Sequence, residues 1–455
     1  MIFSSIPFLY YFLPLVIMLY FVAPRNMANS VLLLASLFFY GYGEPKMLLV
    51  MVATIVFSWA LGLKIPEKKG LMWVSIVVSL GVLVWFKYMG FFVESFADAF
   101  GVETTFMNIA LPAGISFYTF QTLSYTIDLG RGHTKPQKSL LDFAMYVALF
   151  PQLIAGPIVV YSDIENQLDP VLRKSTWDGI YEGICRFCMG LGKKVILANN
   201  LAIFVQDFQA LAEDQRSVAM YWAYALAFAM QIYFDFSGYS DMAIGLGKIF
   251  GFTFPENFNY PFISKDISEF WRRWHMTLGG WFREYVYIPL GGNRVSKGHW
   301  IFNIFMVWGL TGFWHGANWT FLAWGIYFGI FLLMEKFFID KLLGKLPAAF
   351  GHIYTVIVVL FSMVLFNANT IGEAASFIGS MVGLGGGIPF MNEIGAYYFR
   401  SYGLLFAAGI IGCTPLVKKL RLEDKLGLVI SVLLLLIATA YLVDGSYNPF
   451  LYFRF

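Results

Sequence analysis

Two histidines lie in parts of the sequence where an imidazole is unusual and could do proton-transfer chemistry. His315 lies near the middle of a run of 35 residues, from Trp300 to Met334, that contains no Asp, Glu, Lys or Arg. An ionisable side chain in so apolar a run is costly and by default marks a functional site. Histidine titrates near neutrality, so it can act as a base there. The structural alternative is a neutral histidine that hydrogen-bonds a neighbouring helix.

The glycines around His315 predict that this run is not one helix. A bilayer needs about 20 residues of helix, and the run is far longer. Gly309, Gly312 and Gly316 lie close to the histidine. We therefore expect two apolar segments that meet at or near His315.

The other histidine, His275, lies in a segment where aromatic and basic residues follow a helical spacing. Asp266 and Glu269 form a helix-start signal, in which the first caps the helix and the second reaches back. The apolar face of this helix would consist of Phe270, Trp274, Leu278 and Trp281, and the basic residues around it are Arg272, Arg273 and Arg283. We expect a short amphipathic helix over Trp271–Glu284 that lies across or dips into the cytoplasmic leaflet without spanning the membrane.

Charged residues near this segment are candidates for binding an anionic substrate. Arg272, Arg273 and Arg283 could bind the phosphates of an anionic ligand, or they could form an ordinary cytoplasmic rim. Asp235 and Asp241 follow 18 residues without a charge, so each must be neutral or paired with a cation. Asp235 is a candidate for the substrate cavity, near the arginines, or for a polar network that holds helices together.

Two further apolar segments, residues 111–121 and 150–157, are interrupted by Pro, Gly and amide side chains. Broken backbone is tolerated at membrane depth only where protein or a water-filled cavity surrounds it. The residues alone leave open whether these segments are re-entrant elements or kinked helices.

Four motifs follow one another along the chain: Phe-Asp-Phe-Ser-Gly-Tyr-Ser-Asp (234–241), Phe-Trp-Arg-Arg-Trp-His (270–275), Trp-Phe-Arg-Glu-Tyr-Val-Tyr-Ile-Pro-Leu-Gly-Gly-Asn-Arg (281–294) and Gly-Phe-Trp-His-Gly-Ala-Asn-Trp (312–319). In this order they resemble the motifs of the membrane-bound O-acyltransferases, and most closely the bacterial branch that O-acetylates alginate. Four motifs in sequence, spread over most of the chain, are far more specific than any one alone.

The resemblance implies acyl transfer from a thioester to a hydroxyl, which needs a base and a group that stabilises an oxyanion. His315 would be the base, and His275 would be catalytic, ligand-positioning or structural. Asn318 would orient a ligand or donate to the oxyanion, and the re-entrant segments, with Gln152, would line a central cavity. The implied donor is acetyl-coenzyme A, as a substrate, with no bound cofactor.

The end of the chain suggests a second chemical role. Of the eight residues from Asn448 to Phe455, six are Pro, aromatic or Leu, too few to span a bilayer. We expect this tail to bury itself in an outward-facing opening. It resembles the aromatic C-terminal motif of some polysaccharide-acylating relatives. That likeness implies that Tyr452 takes acetyl from the donor at His315 and presents it to an extracytoplasmic, hydrolase-like acetyltransferase partner. The alternative is a hydrophobic plug.

Composition excludes several classes of protein. Hydrophobic residues make up 59% and charged residues 13% of the chain, against about 25% charged in soluble domains. A net charge of +3 with scattered basic residues gives no nucleic-acid-binding patch. Cys185 and Cys188 form a C-x-x-C without a second Cys or His pair nearby, so we interpret them as packing residues and predict no metal site.

Recurrent uncharged runs predict an all-α integral membrane protein with roughly 10 to 12 spans plus re-entrant and interfacial helices. No internal repeat is evident, so we expect a single domain over residues 1–455, with a motif-bearing core at 111–335 and an aromatic tail at 445–455. Basic residues at Arg25, Lys64–Lys69 and 418–425 predict cytoplasmic loops there. Both termini would then be extracytoplasmic, in the inner membrane of a bacterium.

The leading hypothesis is an O-acetyltransferase that passes acetyl groups across the membrane to an exported polysaccharide such as alginate. Peptidoglycan, teichoic acid and lipid are alternative acceptors. A secondary transporter is the alternative from a different class, because broken helices and buried polar residues also mark transporters. The histidine-centred motifs and the lack of a repeat weigh against it.

Overall fold

The computed structural model describes residues 1–104, 109–384, 387–416 and 425–445. These residues form helices and connecting loops, with no strand among them. Within the described ranges, six helices are long and apolar enough to cross a membrane: Gly70–Phe100, Trp177–Ala210, Trp319–Leu343, Ala348–Asn367, Glu393–Gly412 and Leu426–Asp444. The protein is therefore an all-α multi-pass membrane protein, as its composition predicts. The count of roughly 10 to 12 spans stays a prediction.

The chain groups into two compact units, Met1–Phe187 with Tyr239–Glu256, and Cys188–Gly238 with Asn257–Phe455. The single domain expected from the sequence stays a prediction. The first half of the chain forms α1 (Leu13–Val22), α2 (Ala28–Gly43), α3 (Met47–Gly62), α4 (Gly70–Leu83), α5 (Met89–Phe100), α6 (Ile115–Arg131), α7 (Leu140–Ala148), α8 (Phe150–Leu153), α9 (Tyr161–Ile164) and α10 (Trp177–Gly192). The remainder forms α11 (Asn199–Ala210), α12 (Val218–Ile249), α13 (Ile267–Arg273), α14 (Met276–Phe282), α15 (Lys297–His315), α16 (Trp319–Met334), α17 (Asp340–Leu343), α18 (Ala348–Asn367), α19 (Ile371–Met381), α20 (Glu393–Gly412) and α21 (Lys425–Asp444).

In the first unit, each of the two segments interrupted by Pro and Gly contains a short non-helical part: residues 111–114 precede α6, and residues 154–157 follow α8. Gly114, in the left-handed region at φ 71°, precedes α6, and a Cβ there would overlap the carbonyl oxygen of Leu153. Gln152 is buried, and its Nε2 donates to the carbonyl of Tyr146 at 2.7 Å. Its Oε1 meets no donor within the described part of the chain. The breaks agree with re-entrant elements, whose depth in a membrane stays a prediction.

The second unit contains a tight hairpin of α15 and α16. A Cβ at Gly312 would overlap the carbonyl oxygen of Phe321, and a Cβ at Gly325 would overlap that of Trp308. These glycines let two helix backbones touch, as small residues do in packed membrane helices. The uncharged run is thus two helices that meet after His315, as its length and glycines predict.

Candidate active site

His315 is the last residue of α15 and is buried. Gly316 follows in extended backbone, and Asn318 caps α16 by accepting a hydrogen bond from the backbone N–H of Thr320 at 3.1 Å. Three aromatic rings stand edge-on to the imidazole, those of Trp314 at 5.1 Å, Trp324 at 5.1 Å and Phe366 at 5.3 Å between centroids. The ring is therefore held on several sides by packing.

His275 interrupts the amphipathic helix that the sequence predicts, and that prediction is wrong in this respect. Two short helices, α13 and α14, replace it, and His275 between them is in the left-handed region at φ 44°. The four predicted apolar residues are nevertheless buried, Phe270 and Trp274 before the break and Leu278 and Trp281 on α14. The left-handed conformation is energetically unfavourable for histidine, so the surrounding structure must hold the backbone in it.

A loop that precedes α13 imposes the break. The backbone N–H of Asn259 donates to the carbonyl of Arg273 at 2.9 Å, and that of Met276 donates to the carbonyl of Asn257 at 2.9 Å. These bonds satisfy backbone groups that the broken helix leaves without partners. The buried side chain of Asn257 adds a third contact, because its Oδ1 lies 3.0 Å from Nδ1 of His275.

The start of α13 is capped as the sequence predicts. Asp266 accepts a hydrogen bond from the backbone N–H of Glu269. The Glu269 carboxylate reaches back to the N–H of Lys265 at 2.9 Å. Glu335 also holds this helix end, since its carboxylate accepts from the N–H groups of Ile267 and Ser268. Both ends of α13 are thus fixed, and with them the position of His275.

The contacts of Asn257 determine the tautomer of His275. Its Oδ1 also accepts from the hydroxyl of Thr277 at 2.9 Å and from the backbone N–H of Thr277 at 3.4 Å. A backbone N–H can only donate, so this atom is an acceptor and Nδ1 of His275 must carry the proton. Nε2 therefore keeps its lone pair, and it meets no partner among the described residues. This nitrogen is the hydrogen-bond acceptor of the ring.

A cavity of about 190 Å³ reaches His275. It is lined by Trp271, His275, Leu278, Gly279, Phe282, Arg283, Tyr287, Ile304, Val307, Trp308 and Thr311. Pockets for drug-sized ligands typically enclose about 300 to 1,000 Å³, so this cavity has room for a small group and not for a whole ligand of that size. Arg283 lines it and is exposed.

The two histidines lie in one arc of aromatic rings. Trp314 contacts both, with its centroid 5.8 Å from that of His275 and 5.1 Å from that of His315. From His315 the arc continues through Trp324 to Trp271, whose ring centroids are 5.5 Å apart. The two motif histidines, far apart in sequence, are thus brought to one site.

The three predicted donor-binding arginines differ in their surroundings. Arg273 binds the carboxylate of Glu269 at 2.8 Å and so braces α13. Arg272 is mostly exposed, 4.0 Å from the carboxylate of Asp266. Only Arg283 of the three lines the cavity described above.

Asp235 lies in the middle of α12 and is paired with Lys194, a contact that agrees with the second of the two alternatives left open by the sequence, a polar network that holds helices together. Lys194 Nζ is 2.8 Å from Oδ1, and the two side chains are 3% and 4% exposed. In the first unit Asp241 is paired in turn with Arg186 at 2.9 Å. Both carboxylates therefore have a cation, which is one of the two states that the uncharged surroundings allow.

Asn318 and Tyr452 complete the predicted site residues. Besides capping α16, Asn318 donates from Nδ2 to the carbonyl of Asn369 at 3.3 Å, so both ends of its amide hold the turn after His315. A role toward an oxyanion stays a prediction. Tyr452 and most of the basic segment 418–425 lie outside the described residues.

Asn257 and Lys194 were not found by sequence reasoning. Lys194 offered a signal, since it lies in a mostly apolar segment and a cation there requires an anion. Asn257 offered none, because a loop asparagine has no distinctive spacing.

Burial lowers the pKa of His275 well below its ordinary value of 6.5, and the neighbouring His315 lowers it further. Below pH 6.5 the unfolded chain binds a proton at this residue while the folded chain does not. The free energy of unfolding should therefore fall as the pH drops from 6.5 towards the lowered pKa, by up to roughly 1.4 kcal/mol per pH unit.

We expect His275→Asn, which suits left-handed backbone, to remove this part of the acid sensitivity. The measurement is the free energy of unfolding in micelles at pH 7.5 and pH 5.5. Equal losses on acidification in the variant and the wild type would contradict the prediction.

Comparison with known proteins agrees with these features. The family described as "MBOAT, membrane-bound O-acyltransferase family" matches residues 132–371. The probable alginate O-acetylase AlgI of Azotobacter vinelandii is 41% identical over 396 residues, which cover 85% of this chain and 79% of that protein. Its namesake from Pseudomonas putida is 37% identical over the whole of both chains. A peptidoglycan O-acetyltransferase of Helicobacter pylori is 34% identical, over 85% of this chain and 80% of its own.

Proposed function

Because this chain belongs to the membrane-bound O-acyltransferase family, and is thus a membrane O-acyltransferase, we propose that it moves acetyl groups from acetyl-coenzyme A in the cytoplasm to an exported polysaccharide. The observation that carries the proposal is the cavity lined by His275, whose ring shares the neighbour Trp314 with a second buried histidine, His315. Arg283 at its rim would bind a phosphate of the donor. The small volume would hold only the acetyl thioester, with the remainder of the coenzyme outside.

In this proposal the two histidines have different roles in the reaction. His315 removes the proton of the attacking hydroxyl, whose oxygen then bonds to the carbonyl carbon of the thioester. The carbon–sulfur bond breaks, and the thiolate leaves with the proton that the imidazole took up. His275, fixed by Asn257, positions the donor end in the cavity. No metal or bound cofactor has a step in this route.

Gly279 and Gly280 provide a matched test of the cavity. Both are exposed residues of α14, and a Cβ at either meets nothing within 4 Å, but only Gly279 lines the cavity. We expect Gly279→Leu to lower the rate of coenzyme A release from acetyl-coenzyme A at least tenfold in purified protein, because the side chain fills the acetyl site. Gly280→Leu should keep the wild-type rate.

The outcomes of this test separate the alternatives. Equal rates in both variants and the wild type would show that the cavity does not hold the donor. A wild-type protein that releases no coenzyme A, yet carries a solute across vesicles, would instead favour the transporter.

Alginate is the proposed acceptor because relatives named as probable alginate O-acetylases align with most of this chain. Peptidoglycan is the second candidate, since a relative bears that name. A teichoic acid D-alanyltransferase of Bacillus subtilis, 31% identical over 57% of this chain, supports the third. Mass spectrometry of each polymer from cells with and without the protein distinguishes the three.

The inner membrane of a bacterium is the proposed location, with both termini extracytoplasmic. On that orientation Tyr452 would take the acetyl group and pass it to a hydrolase-like acetyltransferase outside. Tyr452→Phe keeps the ring and deletes the hydroxyl. If the tyrosine is a relay, the variant should lose polymer acetylation while still releasing coenzyme A slowly by hydrolysis. Normal polymer acetylation in this variant would leave the tail as a plug.

A further inference from the structure

The cavity beside His275 lies between two sets of helical side chains. The residues that α15 contributes lie three or four positions apart, as on one face of a helix: Ile304, Val307, Trp308 and Thr311. The other side is formed by α13, α14 and the residues that follow them. Trp271 of α13 packs against Trp308 of α15 with 4.7 Å between ring centroids, which joins the two sides. Packed side chains from both sides therefore fix the size of the cavity.

The volume of the cavity limits the length of a group that enters it. At about 190 Å³ it is well below the volume of pockets that enclose drug-sized ligands. Each further methylene of an acyl chain must find room in the same space, because close-packed interiors yield little to an added group. A short acyl group is therefore favoured over a long chain.

The walls offer no counter-charge to an ammonium group. Among the described residues that line the cavity there is no Asp or Glu, and the fixed charge that Arg283 brings has the same sign as an ammonium. Leu278, Ile304 and Val307 are apolar, and the hydroxyl of Thr311 donates to the carbonyl of Val307 at 2.8 Å. Taking a cation out of water without an anion to receive it is costly.

The imidazole of His275 does not replace the missing anion. Its Nε2 is a neutral acceptor that can take one hydrogen bond, and an ammonium has three N–H groups. Glu284 follows Arg283 in sequence and is exposed, but it is not among the residues that line the cavity. An aminoacyl group would therefore lose hydration here without compensation, whereas an uncharged acyl group of the same size has little hydration to lose.

We propose that this cavity determines which acyl group the protein transfers, and that it admits short uncharged acyl groups and rejects an aminoacyl group such as alanyl. The inference deepens the proposed function and rests on it. Val307, in the middle of the α15 face, limits the length of the acyl chain. Gly279, where a Cβ would meet nothing within 4 Å, leaves the other side open and without a charge.

Selection by charge is tested with two thioesters of nearly equal size. Isobutyryl-coenzyme A has a methyl group where D-alanyl-coenzyme A has an ammonium. At pH 6.5, where the amine is protonated, we expect kcat/KM to be at least about tenfold lower for the alanyl thioester. The measurement is the coenzyme A that purified protein releases at one acceptor concentration, corrected for the rate without protein.

Gly279→Asp supplies the missing anion. It should raise the ratio of kcat/KM for alanyl to that for isobutyryl at least about tenfold, because an opposite charge nearby favours the charged group. Gly279→Asn has nearly the same size without the charge and should leave the ratio at the wild-type value. Gly280→Asp is the second control, because Gly280 is also exposed with open space around it but does not line the cavity. The ratio is informative even where a substitution lowers both rates.

Selection by length is tested with acetyl-, butyryl- and hexanoyl-coenzyme A. We expect kcat/KM to fall at least about tenfold from acetyl to hexanoyl. Val307→Ala removes two methyl groups from the wall and should raise the ratio of butyryl to acetyl at least about threefold. The matched control is Met306→Ala, which should keep the wild-type ratio, since Met306 is exposed and does not line the cavity.

The outcomes separate this inference from the proposed function. Equal kcat/KM for the isobutyryl and alanyl thioesters would overturn the rejection by charge, and equal kcat/KM for acetyl and hexanoyl would overturn the limit on length. If Gly279→Asp and Val307→Ala gave the same ratios as their controls, selection would take place outside this cavity. A wild type that releases coenzyme A from none of the thioesters would overturn the proposed function itself, and this inference with it.

Discussion

His315→Ala is expected to lower kcat for acetyl transfer by about two to four orders of magnitude, the range that a positioned general base contributes. The alanine leaves the acceptor hydroxyl without the imidazole that Trp314, Trp324 and Phe366 hold in place. The measurement is release of coenzyme A and formation of acetylated polymer by purified protein in nanodiscs.

The matched control is His299→Ala, at the other end of the same helix. His299 is exposed and lies in the first turn of α15, so its loss should leave kcat unchanged. Because His315 is buried, its alanine variant must also be checked for folding, and His315→Gln fills more of the space. If His315→Ala and His315→Gln are both folded and both retain more than a tenth of the wild-type kcat, His315 is not the base.

Lys194→Met is expected to lower the free energy of unfolding by about 3–5 kcal/mol, because it leaves the Asp235 carboxylate buried without its cation. Lys248→Met is the comparison, since Lys248 pairs with Glu182 where the side chains are 33% and 46% exposed. An exposed pair contributes about 0–1 kcal/mol. Chemical unfolding in micelles measures both.

A double variant then decides what Asp235 does. Lys194→Met with Asp235→Leu removes both charges and should recover most of the lost stability, because no buried charge remains. If this protein also releases coenzyme A at the wild-type rate, the pair is structural. A stable double variant whose KM for acetyl-coenzyme A has risen tenfold would instead support the role in donor binding. A loss below 1 kcal/mol in Lys194→Met alone would contradict the buried pair.

The break after His315 was predictable because it follows from the residues immediately around it. An uncharged run too long for one span, with glycines near its middle, allows little except two helices in contact. The start of α13 was predictable for a similar reason, since Asp266 and Glu269 lie within one helical turn of the residues that they cap. Both signals depend on neighbours in sequence.

The break at His275 was not predictable, because its cause lies elsewhere in the chain. Residues 270–281 keep a helical spacing of apolar side chains, and those side chains are buried. The backbone that competes with the helix comes from Asn257 and Asn259. Periodicity cannot detect a loop that offers better hydrogen bonds at one point, so a single helix was the natural interpretation.

The cation that pairs with Asp235 could not be predicted from the sequence, for a different reason. Sequence analysis could state that a carboxylate in an apolar helix needs a cation, but several cations were candidates. Only the three-dimensional structure identifies Lys194 as the partner, because the helix that contains Lys194 (Trp177–Ala210) places its ammonium next to Asp235 of α12.

The left-handed backbone at His275 makes protein abundance and catalytic activity separable at this single position. Glycine, asparagine and aspartate adopt such a backbone at low cost, whereas β-branched residues resist it. The variants His275→Gly and His275→Asn should accumulate in the membrane, although they lack the imidazole. The variants His275→Val and His275→Ile should instead misfold and be degraded by cellular quality control. A survey that recorded only loss of function would merge the two groups, although only the first reports on the chemistry.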